Sequence, residues 1–199
     1  YNGESVAQRL KKGRLNRGAG KLKSRALNMM SCDWDFSPPS KEYFDELFRV
    51  SRNQIIWGGN YFNLPPSRGI VCWDKMQPWE NFSQVELAWT SFDCPASLIR
   101  LSNTGGANKE TKIHPTQKPV ALYHFLLKKF VRSGNRLLDT HLGSGSSRIA
   151  AYKMGFDFWG TEIDKEYFDA QEKRFREECL GEVRLKNGAV YVQKELFEL

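Results

Sequence analysis

Gly143-Ser144-Gly145, following Asp139 at the end of the apolar run Leu137-Leu138, is the stretch of this 199-residue chain whose residue types and spacing could do chemistry. A strand ending at Leu138 or Asp139, a turn with two glycines and a helix from about Ser146 are the parts with which an open α/β sheet holds a ligand beyond the carboxyl ends of its strands. Further on, "DFWGTEID" reads as a second strand whose end presents Glu162, 23 residues after Asp139. That is close to the offset of about 20 at which an acidic side chain accepts hydrogen bonds from ribose hydroxyls. The stretch therefore raises the question of an adenosine-bearing ligand, and an ordinary strand-to-helix turn with a surface acid stays open on these residues alone.

Two cofactor types compete for such a turn. A dinucleotide fingerprint needs a third glycine for tight helix-sheet packing, and Arg148 stands where it should be. An acid before the glycines also repels a pyrophosphate, whereas Asp139 can accept a hydrogen bond from an amino-acid ammonium group. S-adenosylmethionine carries that group and no phosphate, so the chemistry points to it.

The elements around the turn must position it. Ser40 is a candidate N-cap for a helix from about Ser40 to Val50, with Tyr43, Phe44, Leu47, Phe48 and Val50 on one face. "NQIIWGGNYF" reads as a buried strand that ends in Gly58 and Gly59, where missing side chains allow a close approach or a bend. "GIVCWDK" is another strand, and "QVELAWTSF" is a third strand or a short helix. Residues 93–112 read as a long loop or small insertion. Pro119 fits the first turn of the next helix, "DKEYFDAQEKRFREE" is a further helix, and Asn187-Gly188 marks a hairpin. Alternation of strands and helices predicts an α/β, doubly wound, mostly parallel sheet in a single domain.

Composition sets the wider frame. A net charge of +7 favours a polyanionic partner. The excess concentrates in residues 1–32, read as a basic, flexible arm whose Lys11, Lys12, Arg14, Arg17, Lys21 and Lys23 are candidate phosphate contacts. Four cysteines, Cys32, Cys72, Cys94 and Cys179, show neither disulfide-scaffold nor zinc spacing, so no metal is expected and the thiols read as free. No apolar run approaches the roughly 20 residues that span a bilayer, which makes a cytoplasmic protein with no membrane contact the expectation.

"HPTQKP" at His114 to Pro119, then "LLDTHLGSGSSRIAA", then "GTEIDKEYF" together resemble the C-terminal half of the beta-arranged amino-specific DNA methyltransferases of bacteria and phages. The resemblance extends through "KEYFDELFRVSRNQIIWGGNYF" and "ELAWTSF", covering about residues 33 to 178. It implies the Rossmann-like methyltransferase fold over 33–199, with 113–178 as the cofactor half and 93–112 as a target-recognition loop. It implies Pro115, Thr116, Gln117 and Lys118 beside the methionine portion of S-adenosylmethionine, and Asp139, Thr140, His141, Leu142, Gly143, Ser144, Gly145, Ser146 and Ser147 as the cofactor turn. Glu162 would hold the ribose, with Ile163 and Asp164 flanking the adenine.

Double-stranded DNA is the implied partner, the exocyclic amino group of adenine or cytosine the implied target with adenine preferred, and dimers occur in the family. His114, preceding a proline, reads as a structural hydrogen-bonder. The family's Asp-Pro-Pro-Tyr motif does not occur: Ser37 to Ser40 and Leu64 to Ser67 each hold a Pro-Pro pair that reads as turn prolines. The expectation is that this motif lies upstream of Tyr1, with catalytic residues unassigned. Competing expectations are a catalytically inactive nucleic-acid-binding relic of the fold and a nicotinamide-dependent oxidoreductase, which the missing third glycine disfavours.

Overall fold

Ser40 starts the first helix in the way its sequence predicts. In the computed structural model, which describes residues 37–77, 82–102, 110–185 and 187–192, its hydroxyl accepts from the Tyr43 N–H at 3.4 Å and caps α1 (Lys41–Val50). Two apolar rings of α1 find partners, Phe48 edge-on to Trp89 at 5.9 Å and Phe44 beside Phe62 at 5.0 Å. The residues of α1 that point away pair with each other, Lys41 with Asp45 and Glu46 with Arg49.

The chain forms two compact units, residues 1–101 and 102–199. The first holds α1 and a four-stranded sheet in the order β1-β3-β2-β4, made of β1 (Ile55–Trp57), β2 (Ile70–Asp74), β3 (Val85–Thr90) and β4 (Ser97–Arg100). β3 pairs antiparallel with both β1 and β2, and β4 runs parallel to β2. Val71, Trp73, Ala88, Trp89 and Thr90 are its buried residues. A single-turn 3-10 helix, Gly59–Tyr61, follows β1. A Cβ at Gly59 would stand 2.4 Å from the Trp89 Cβ, which is the close approach that "WGG" suggests.

The second unit is built on a βαβ crossover. β5 (Arg136–Asp139) pairs parallel with β6 (Asp157–Gly160), and α3 (Ser146–Lys153) connects them. α2 (Val120–Phe130), α3 and α4 (Lys165–Cys179) bury a core of Val120, Leu127, Ile149, Ala150, Ala151 and Phe175, with Leu137 and Phe158 of the strands packed against it. Ala150 and Ala151 are wholly buried. β7 (Glu182–Arg184) and β8 (Val190–Val192) form an antiparallel hairpin in which Gly188 takes φ 84°.

Three expectations change. The sheet of the first unit is mixed rather than mostly parallel: β3 pairs antiparallel with β1 and with β2, and the short connection from Asp74 to Val85 is less than the crossover of a dozen or more residues that a parallel neighbour needs. The strands of the described residues also fall into three sheets, with orders β1-β3-β2-β4, β5-β6 and β7-β8, instead of one. Residues 93–112 are not all loop, since Ser97–Arg100 form β4. Trp73 explains that strand: its indole N–H donates to the Leu101 carbonyl at 2.7 Å and the Leu101 N–H to Asp74, so long-range partners hold a segment with no strong local pattern. "QVELAWTSF", which was ambiguous, supplies the strand β3. Among the described residues no helix is long and apolar enough to cross a membrane, and Cys72, Cys94 and Cys179 are free thiols.

Candidate functional site

The turn after β5 is laced to the end of β6, first through the backbone. Beyond the strands, the Thr161 N–H donates to the Asp139 carbonyl at 2.9 Å and the Leu142 N–H to the Thr161 carbonyl at 2.9 Å. The chain then reverses through Gly143 at φ 53° and Gly145 at φ 72°, left-handed conformations that cost other residues about 1–2 kcal/mol. Gly145 is the residue before α3 begins. A Cβ on Gly145 would also come within 2.9 Å of the Gln171 side chain on α4.

Two carboxylates hold this turn in shape. Glu162 bridges it: Oε2 accepts from the Gly143 N–H at 2.7 Å and Oε1 from the Asp164 N–H at 3.0 Å. Asp139 braces the other side, Oδ1 accepting from the His141 N–H at 3.0 Å and Oδ2 from the Ser147 hydroxyl at 2.5 Å. An ionised carboxylate offers about four lone-pair sites, so each retains capacity for a further donor. Both are half-buried, while Ile163 between Glu162 and Asp164 is 86% exposed, an apolar side chain left in solvent beside the turn. Asp164 caps α4, its carboxylate accepting from the Glu166 and Tyr167 N–H groups. Thr140 and His141 contact each other through the hydroxyl and Nδ1 at 3.1 Å, and Leu142 is buried.

The segment 114–119 lies against the same turn. His114 is buried, and its ring atoms are 3.6 to 3.7 Å from where a Cβ on Gly143 would stand. The ring meets Tyr167 of α4 edge-on at 4.3 Å, and Nδ1 accepts from the Thr116 N–H at 3.3 Å. An imidazole that accepts at Nδ1 carries its proton at Nε2 when neutral. Neutrality is enforced: burial, with the positive charges of Lys112 and Lys118, pushes the His114 pKa down to about 4. Gln117 folds the segment on itself, accepting from the Ile113 N–H and donating to the Thr111 carbonyl. Pro115, Thr116, Gln117 and Lys118 thus form one short turn over which His114 bridges to Gly143.

Several residues of the site were not singled out from the sequence. Arg174 is the largest omission. Its guanidinium is buried and donates to the Ser144 carbonyl at 3.0 Å, the Ser146 hydroxyl at 2.9 Å, Glu110 at 3.0 Å and Glu178 at 2.7 Å. Glu110 in turn accepts the Val120 N–H at 2.8 Å. Gln171 is wholly buried beneath Gly145. A signal existed: Tyr167, Gln171 and Arg174 recur at helical spacing on one face of α4, and polar residues on a buried stripe imply hydrogen-bonded partners. Arg148, which occupies the place of the third glycine, stacks its guanidinium 3.8 Å above the Phe175 ring and pairs with Glu172. A bulky cation therefore fills the contact that a dinucleotide fold needs glycine to close.

The six basic residues Lys11, Lys12, Arg14, Arg17, Lys21 and Lys23 lie outside the described residues, as does 103–109 of the expected recognition loop. Among the described residues no three His, Cys, Asp or Glu side chains come together as a metal site.

Comparison with known proteins bears on this geometry. Residues 11–173 match the N6/N4 DNA methylase family. The chain is 27% identical over 145 residues to the type II methyltransferase M2.DpnII of Streptococcus pneumoniae, covering 73% of this chain and 50% of that protein. It is 26% identical over 141 residues to the type II methyltransferase M2.LlaDCHI of Lactococcus lactis subsp. cremoris, covering 71% of this chain and 48% of the relative. The chain thus spans about half the length of these curated relatives. Among solved structures, the M1.HpyAVI-SAM complex aligns with a TM-score of 0.43 at 20% identity over 67% of this chain and 68% of that one. The PvuII cytosine-N4-specific DNA methyltransferase aligns with a TM-score of 0.44 at 20% identity over 54% and 50%. A family match over most of the chain, taking in both the segment that carries His114 and the turn it packs on, has one meaning: the chain belongs to the N6/N4 DNA methylase family.

Proposed function

We propose that the second unit binds S-adenosylmethionine on the turn after β5, and that the bound methyl group is destined for the exocyclic amino group of adenine in double-stranded DNA. The observation that carries this reading is the packing of His114 on Gly143, which joins 114–119 to the turn braced by Asp139 and Glu162. When bound, the cofactor supplies a methyl group on a sulfonium that an amine lone pair can displace in line.

The residues fit such a ligand. Asp139, at a strand end and with lone pairs to spare, accepts from the ammonium group; Pro115 to Lys118 flank the methionine portion. The turn from Thr140 to Ser147 lies beneath it. Glu162 accepts from the ribose hydroxyls, and Ile163 with Asp164 borders the adenine. Two acids on one turn disfavour a pyrophosphate, and Arg148 stands where a dinucleotide fingerprint needs glycine for close helix-sheet packing. Lys11, Lys12, Arg14, Arg17, Lys21 and Lys23 contact DNA phosphates, and 93–112 reads the target. Choice of adenine over cytosine rests on the sequence resemblance, and catalytic groups are unassigned within these residues.

Isothermal titration of the chain with S-adenosylmethionine and with NAD tests the reading. Saturable binding of the first and none of the second is expected; affinity for NAD alone would overturn it.

A further inference from the structure

We propose that Glu110 and Arg174 are positioning residues for the cofactor turn, a proposal that rests on the cofactor reading above. Ser144 stands between two glycines in left-handed conformations, so no neighbouring Cβ restricts the backbone on either side of it, and that freedom must be lost when a ligand binds. Arg174 removes that freedom by holding the Ser144 carbonyl and the Ser146 hydroxyl with one nitrogen. The guanidinium is only 6% exposed, so every donor needs an acceptor, and its planar fork fixes where those acceptors stand. Glu110 takes a second nitrogen through Oε2 while its Oε1 accepts the N–H of Val120, the first residue of α2. One ion pair therefore spans both motifs: it grips the glycine turn at one end and the exit of 114–119 at the other. Glu178 satisfies the remaining nitrogen from the same helix, four residues on, and touches neither motif. A turn locked before the ligand arrives loses less entropy on binding, so this pair tightens binding by preorganisation.

The variants E110Q, R174K and E178Q, each in the full chain, separate this role from simple stabilisation. Glutamine at 110 keeps an oxygen for Val120 and loses the charge on Arg174. Lysine at 174 keeps a charge and loses the fork. Calorimetric Kd for S-adenosylmethionine is measured at a temperature where each variant is folded, with its unfolding midpoint recorded separately. We expect E110Q and R174K each to weaken binding about tenfold, the double variant to be no worse than the weaker single, and E178Q to stay within about twofold of the parent. Wild-type affinity in E110Q overturns the proposal, as does an equal loss in E178Q, which would mean that stability alone is read. If R174K does not fold, E110Q against E178Q decides. A parent chain that binds no S-adenosylmethionine removes the cofactor reading itself, and the proposal with it.

Discussion

Asp139 does two things that substitution can separate. Its carboxylate braces the turn through His141 and Ser147, and in the proposed complex it also meets a cation. Asparagine preserves the shape and one acceptor but removes the charge, and a charge-assisted hydrogen bond contributes about 1.5–3 kcal/mol. Asp139→Asn should therefore weaken S-adenosylmethionine binding tenfold or more with a small change in unfolding midpoint; calorimetry alongside thermal melting checks this, and unchanged affinity removes Asp139 from the ammonium site. His114 makes a pH prediction. Its folded pKa of about 4 lies below the ordinary 6.5, so between those values the unfolded chain binds the proton and the folded one does not. Stability from this group is complete above about pH 6.5 and falls as pH drops towards 4, by up to about 3 kcal/mol. Urea unfolding at a series of pH values should show this acid limb in the parent and a shallower one in His114→Asn. The role of His114 as a hydrogen-bonder was legible from the proline that follows it. Arg174 was legible only as a polar residue at helical spacing, because its partners outside α4, Ser144, Ser146 and Glu110, lie 28 to 64 residues away and only folding brings them to it.

At the scale of elements, what was local was legible. The Ser40 cap, the glycine turn before α3 and the hairpin at Asn187-Gly188 each depend on a few adjacent residues and each is where its residues indicate, while Pro119 stands just before α2 as its N-cap instead of in its first turn. β3 and β4 were not, because "ELAWT" fits two periods and "SLIR" gains its strand character from β2. Two substitutions test the elements that hold the site. Gly145→Ala meets both a left-handed φ and the Gln171 side chain, so it should destabilise the chain by about 1–3 kcal/mol and weaken cofactor binding as well. Retention of the parent's urea midpoint would show that the turn tolerates another conformation. Ile149→Ala opens a cavity in the wholly buried contact of α3 with the second unit's core and should cost about 2–5 kcal/mol. A loss below about 1 kcal/mol would contradict the placement of Ile149 at the centre of that core.

For the whole molecule, the net charge of +7 and its concentration near the start of the sequence predict salt-sensitive DNA binding. Six phosphate contacts would give a slope near −5 in a plot of log affinity against log salt, and replacing Lys21 and Lys23 by alanine should reduce its steepness by about 2. A slope unaffected by that replacement would exclude the arm from the interface. The overall architecture was legible only in class. Alternating strands and helices do indicate α/β, yet β3 pairs antiparallel with β1 and β2, and among the described residues the strand-helix-strand crossover is that of β5, α3 and β6. The second unit was the more legible part because its strand, glycine turn and helix follow one another in one continuous crossover, whereas the first unit depends on pairing between distant segments. The crossover of the second unit is the proposed seat of the methyl donor. Titrating isotopically labelled chain with S-adenosylmethionine while following backbone amide signals tests it most directly. Saturable shifts are expected at Gly143, Gly145 and Ile163 that NAD does not produce; saturation with those three signals unmoved would place the ligand elsewhere.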